Sequence, residues 1–133
     1  MITGINHIGI ATGNLEEVTA LYKKLLPHAP LHQEEIADQK VKVSSFNLQG
    51  THVEFLEPTA PDSPIAKFLE KTPQGGIHHL AFTSTDVVAD LARLKNEQFR
   101  LIDEVPRTGM GGSRIAFLHP KTSGGILVEL CQE

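Results

Sequence analysis

At 133 residues, with 40% apolar and 21% charged residues, the chain has the length and composition of one globular domain able to bury a core without staples. A net charge of −4, scattered basic residues, one Tyr and no Trp exclude the basic, aromatic-bearing face of a nucleic-acid binder. The single cysteine, Cys131, excludes an internal disulfide and a multi-thiolate zinc site. Metal binding is thereby left to histidine and carboxylate, and a reducing cytoplasm is the expected compartment. No apolar stretch approaches the roughly eighteen residues of a membrane span, and the opening MITGINHIGIATGN lacks the pattern of a secretion signal.

The first element is an apolar strand over Ile5 to Ala11 with His7 in its third place. A helix then opens at Asn14, whose side chain can cap the first amides while Glu17 completes a capping box. Leu15, Val18, Leu21, Tyr22 and Leu25 recur at helical spacing along it, and Pro27 ends it. Strands are predicted over Val41 to Leu48 and His52 to Leu56, separated by the turn Gln49-Gly50. Pro58 to Pro64 is a proline-rich connection, and Ser63-Pro64 starts a short helix with Ile65, Phe68 and Leu69 inward.

From Ile77 the pattern starts again. Ile77-His78-His79-Leu80-Ala81-Phe82 reads like the first strand, and a helix follows from Thr85-Asp86 with Val87, Val88, Leu91 and Leu94 on its stripe. Strands over Arg114 to Leu118 and Gly125 to Cys131 close the chain. His79 stands 72 residues after His7, and Val128-Glu129-Leu130 stands 75 residues after Val53-Glu54-Phe55. Two independent pairs at nearly one offset define an internal repeat, an α+β domain of two βαβββ modules joined by a linker with a helix.

Strand alternation puts His7, Glu54, His79 and Glu129 on the face away from the helices. A carboxylate inside an apolar strand is costly to desolvate unless it is paired, hydrogen-bonded or metal-bound. A divalent cation would satisfy all four residues, and two histidines with two glutamates suit Zn2+, Co2+, Mn2+, Ni2+ or Fe2+. Four protein ligands on an ion able to take five or six leave positions for a substrate oxygen, the arrangement of a Lewis acid. His28 and His32 are placed in a loop, His78 facing the helices and His119 before Pro120; His52, two residues before Glu54 on the same face, is either a hydrogen-bond partner behind the metal ligands or a solvent-exposed residue at the strand start, the latter being favoured.

With these residues the chain resembles the vicinal oxygen chelate superfamily and, within it, the methylmalonyl-CoA epimerases, over nearly its whole length. The segments that carry the resemblance are Ile5 to Ala11, Val53 to Pro58 running on through Asp62 to Leu69, Gly75 to His79, Arg100 to Glu104, and Ile115 to Lys121 with Gly124 to Leu130. The resemblance implies a curved eight-stranded mixed sheet with helices on its convex face. It implies one domain, with module 1 over about 1–57, linker and short helix over 58–74, and module 2 over about 75–133. It also implies one divalent ion held by His7, Glu54, His79 and Glu129, an acyl-CoA substrate, a homodimer, and interconversion of (R)- and (S)-methylmalonyl-CoA.

Some relatives carry glutamine where Glu54 stands. Some relatives also carry, at the place of Val43, a non-ligand glutamate proposed as one of two proton-transfer bases, so the two expected metal-binding glutamates must be considered for that role. Glu129 is the expected proton acceptor, with Glu54 the other candidate. For the CoA phosphates, Gly111 and Gly112 with Arg114 and Lys121 form the candidate set. Rival readings on the same scaffold are a glyoxalase that isomerises a glutathione hemithioacetal and a non-catalytic small-molecule binder.

Overall fold

The computed structural model describes residues 1–133. Its elements follow the order β1 (Ile2–Ala11), α1 (Leu15–Leu25), β2 (Leu31–Ile36), β3 (Val41–Leu48), β4 (Thr51–Pro58), α2 (Pro64–Lys71), β5 (Gly76–Ser84), α3 (Val87–Asn96), β6 (Arg107–Thr108), β7 (Arg114–Leu118) and β8 (Val128–Gln132). Around α2 the order is βαβββ on each side, as the repeat requires. The α+β class and the mixed pairing of eight strands are those expected. The chain divides into two compact units, Met1–His7 with His79–Glu133, and Ile8–His78. The division cuts β1 between His7 and Ile8, so the compact units do not follow the sequence repeat.

In the Ile8–His78 unit the strand order is β2-β3-β4-β1, with β2–β3 and β3–β4 antiparallel. Asn14 caps α1 as its spacing predicts: its side-chain oxygen accepts from the Glu17 amide at 3.1 Å, and its amide donates to the Glu17 carboxylate at 3.2 Å. The buried stripe of α1 runs through Leu15 and Thr19 with Val18, Tyr22 and Leu26 packed beside it. Leu21 and Leu25, expected inward, are exposed. At 100° per residue both fall off the stripe that starts at Leu15, and Thr19 takes the inward place by donating its hydroxyl to Ser44 at 2.8 Å. Where the helix meets the sheet, Tyr22, Phe46 and Phe55 form an aromatic trio, with the Tyr22 and Phe55 ring centroids 4.5 Å apart. Ser63 caps α2 through the Ile65 amide, and Ile65 is buried as expected. Gly75 ends the segment after α2 at φ +79, where a Cβ would lie 2.4 Å from the Ala11 carbonyl oxygen; only glycine fits there.

In the other unit the order is β1-β5-β8-β7-β6. The β5–β8 pair is parallel, whereas β7 runs antiparallel to both β8 and β6. Asp86 caps α3 through the Ala89 amide. Val87, Leu91 and Leu94 pack on Ala116, Leu118 and Leu130. Val88, expected on that stripe, is exposed and Asp90 is buried in its stead, bonded to the Ser84 hydroxyl at 2.6 Å. β8 begins at Val128 rather than Gly125, because Gly124 and Gly125 both turn at positive φ. No helix is long and apolar enough to cross a membrane.

Removing the ring of Phe55 should cost about 3–5 kcal/mol, the usual loss for a buried phenylalanine. Urea unfolding of Phe55→Ala against the parent measures it, and a loss under about 1 kcal/mol would contradict this account of the core.

Candidate metal centre

Three of the four expected ligands converge within the unit formed by Met1–His7 and His79–Glu133. His7 comes from β1, His79 from β5 and Glu129 from β8, and each is about 5% exposed or less. The parallel register sets Ala81 beside Glu129. His79, two residues before Ala81, therefore shares the face of Glu129. The His7 and His79 Nε2 atoms are 3.0 Å apart. Glu129 Oε1 lies 3.5 Å from the first and 3.1 Å from the second.

These separations fit one small cation. Two donors each about 2.1 Å from an ion are about 3.0 Å apart at a right angle and about 3.4 Å apart at the tetrahedral angle. Two imidazole nitrogens and a carboxylate oxygen are also a donor set that divalent transition metals accept. Burial pushes the Glu129 carboxyl up, but hydrogen bonds from His7 and His79 and the charge on both rings outweigh it and bring it down to about 2. Glu129 is therefore ionised at neutral pH, as a ligand must be.

A residue that strand alternation hides adjusts this centre. Asn6 is buried beside His7, and its side-chain oxygen lies 2.7 Å from His7 Nδ1. The Asn6 amide nitrogen donates to Glu133 Oε1 at 3.4 Å, which orients the amide with its oxygen toward the ring. His7 Nδ1 then donates to that oxygen: when the ring is neutral its Nε2 presents a lone pair to the centre, the form a cation takes, and when the ring is charged Nε2 donates to Glu129. Neighbouring side chains on a regular strand point to opposite faces, so the alternation argument offered no signal for Asn6; its only clue is that a polar residue sits buried beside the ligand.

Glu54, expected as the fourth ligand, belongs to the Ile8–His78 unit, where it is buried on β4 opposite Ser45 and accepts from the Ser45 hydroxyl at 3.4 Å. Val43 is buried between Leu56 and Glu34 on the neighbouring strands. His78 packs edge-on against Phe68. The His119 ring caps the turn Pro120–Thr122, its Nδ1 accepting from the Lys121 amide. His32 lies on β2 rather than in a loop, with its Nε2 2.9 Å from Glu34. The polar composition of β2 gave no alternation to read.

Beside the centre, Ile115, Phe117, Cys131 and Leu127 form an apolar wall, and the Phe117 ring meets His79 edge-on with centroids 5.7 Å apart. Gly111 and Gly112 turn at positive φ just before β7. Arg114 and Lys121 stand toward opposite ends of that strand, which spans Arg114–Leu118. Arg114 pairs with Gln132, whose side-chain oxygen accepts from the Val87 amide at the start of α3. Arg114 is thus on the helix face, opposite Glu129.

A family model described as the Glyoxalase/Bleomycin resistance protein/Dioxygenase superfamily matches residues 6–117. The chain is 40% identical over 133 residues to an ethylmalonyl-CoA/methylmalonyl-CoA epimerase of Cereibacter sphaeroides, covering 99% of each. It is 38% identical over 128 residues to the human mitochondrial methylmalonyl-CoA epimerase, covering 96% of this chain and 73% of that protein. A solved methylmalonyl-CoA epimerase in complex with methylmalonyl-CoA and NH4+ superimposes with a TM-score of 0.95 at 35% identity, covering 100% of this chain and 96% of that one.

Asn6→Ala should weaken Zn2+ or Co2+ binding by about 10–100-fold, the usual cost of losing a hydrogen-bond partner behind a metal-binding histidine. Asn6→Asp, which still accepts from Nδ1, should retain most of the affinity. Titration calorimetry measures both, and an unchanged affinity in Asn6→Ala would contradict the role given to the amide.

Proposed function

The chain belongs to the glyoxalase/bleomycin resistance protein/dioxygenase superfamily, and on that premise we propose that it is a metal-dependent epimerase that interconverts (R)- and (S)-methylmalonyl-CoA. The observation that carries this reading is the convergence of His7, His79 and Glu129 in a chain that matches, over nearly its whole length, epimerases named for this substrate class.

The reaction takes a proton from C2, between the thioester and the carboxylate, and returns one to the opposite face. A divalent ion, when bound, supplies Lewis-acid stabilisation of the charge that develops on the substrate oxygens. His7 and His79 would hold it through Nε2 and Glu129 through a carboxylate oxygen. Glu54 is proposed as the fourth ligand because it occupies the repeat position of Glu129. Zn2+, Co2+, Mn2+ and Ni2+ are the candidate ions. The apolar wall of Ile115, Phe117 and Leu127 keeps water from competing for the charged groups.

Proton transfer falls to the glutamates, since Val43 offers only hydrocarbon. Glu129 accepts the C2 proton as the C–H bond breaks and its electron pair moves into the enolate; the return proton comes either from Glu54, once that carboxylate has taken a proton from solvent, or from Glu129 itself after the planar enolate reorients. A carboxylate that also binds a cation is a weak base, so the ion, when bound, would supply most of the acidification of C2. Gly111 and Gly112 are proposed to approach the CoA phosphates with backbone amides, with Lys121 as a further cation. A homodimer would cover the exposed edges of β2 and β6. A cytoplasmic location fits a chain that cannot form an internal disulfide.

Glu129→Gln should lose at least about 100-fold in turnover, the scale of a missing general base, and should no longer exchange the C2 proton with solvent deuterium. Metal content and exchange measured together test this. If Glu129→Gln binds metal and epimerises at the parent rate, the base is another group.

A further inference from the structure

We infer that Arg107, and not Arg114, is the residue that grips an anionic group of the substrate beside the metal-binding face. The inference rests on the functional reading for the identity of the substrate, but not for the existence of the anion site.

Cross-strand partners share a face of a sheet. Phe117 is paired with Glu129, so Phe117 and, two residues before it, Ile115 lie on the face of the three converging donors. Arg107 is paired with Ile115, which brings it to that same face. Arg114 has the parity of Ala116 and Leu118, which pack on α3. Of the two arginines flanking the glycine turn, only Arg107 faces the centre.

Its guanidinium is also held in place there. The guanidinium carbon lies 5.1 Å from the centroid of the Phe117 ring, and that ring in turn meets His79 edge-on. Arg107 is thus one phenyl ring removed from a metal-binding histidine. Asp103 approaches it through Nε at 3.4 Å. Asp103 is itself fixed, accepting from the Phe117 amide at 2.8 Å. The side chain is 46% exposed. A planar cation laid on a buried aromatic face, with one edge fixed and another toward solvent, is built for a carboxylate or phosphate, which a guanidinium binds by two parallel hydrogen bonds.

The glycine turn that follows Arg107 is folded onto the same wall. A Cβ on Gly109 would come within 2.8 Å of the Ile115 Cγ2, so backbone amides and the Arg107 side chain share one neighbourhood. An acyl-CoA carries both anions such a site could take, the acyl carboxylate and the CoA phosphates.

Calorimetric binding to the Co2+-loaded protein separates these. The probes are malonyl-CoA, with both anions, propionyl-CoA, with phosphates only, and malonyl-pantetheine, with the carboxylate only. Arg107→Gln should weaken malonyl-CoA by roughly tenfold or more, Arg107→Lys by less because the charge stays while the fork is lost, and Arg114→Gln by no more than about twofold. A loss confined to propionyl-CoA and malonyl-CoA assigns the phosphate; a loss confined to malonyl-pantetheine and malonyl-CoA assigns the carboxylate. Arg107→Lys keeps a cation over Phe117 and carries the test if Arg107→Gln does not fold. Equal malonyl-CoA affinity in the parent and the Arg107 variants, an equal loss in Arg114→Gln, or no binding of any probe by the parent would overturn the inference. Binding that depends on Arg107 in a protein that leaves methylmalonyl-CoA unepimerised would contradict the functional reading and support the anion site.

Discussion

Three polar atoms, the Nε2 of His7, the Nε2 of His79 and the Oε1 of Glu129, share one buried spot on three different strands. Without a common partner this is an expensive arrangement, because two imidazoles and a carboxylate have given up water to face each other. A divalent ion would be bound by all three at once. Much of the surrounding structure serves to keep them there: the parallel β5–β8 register, the Phe117 ring against His79, and the amide of Asn6 that holds His7 in the tautomer a ligand needs.

The chemistry follows from the same convergence. A proton between a thioester and a carboxylate is too weakly acidic for an ordinary carboxylate base. A carboxylate that is held ionised by cationic neighbours is a poor base unless the product charge is stabilised elsewhere. The arrangement therefore favours a division of labour. In the proposed reaction a bound ion would stabilise the charge that develops on the substrate, the glutamates would move the proton, and Arg107 would orient an anionic end of the substrate.

Much of this was legible in the sequence because the chain repeats itself. The pairs His7/His79 and Glu54/Glu129 stand at nearly one offset, and a histidine in an apolar strand gains meaning when it recurs. The capping residues Asn14, Ser63 and Asp86 were equally readable, since each acts on amides two or three residues away. What escaped was decided by tertiary contact. Leu21, Leu25 and Val88 look like core by spacing but lie off the stripe that meets the sheet, while Thr19 and Asp90 go inside because Ser44 and Ser84 hydrogen-bond them. β2 is polar and β6 has two residues, so neither announces itself. Arg114 drew attention as the cation after a glycine turn, yet its face is set by pairing with Gln132, whereas Arg107 precedes the turn and is brought to the metal side by Ile115.

The central claim is that a divalent ion held by His7, His79 and Glu129 makes the proton of the substrate removable. The most direct measurement is turnover of resolved (S)-methylmalonyl-CoA by protein of known metal content, before chelation, after it, and after stoichiometric return of Co2+ or Zn2+. The account predicts that epimerisation tracks bound metal, disappears on chelation and returns with about one ion per chain. Epimerisation at an undiminished rate by protein stripped of metal would contradict it.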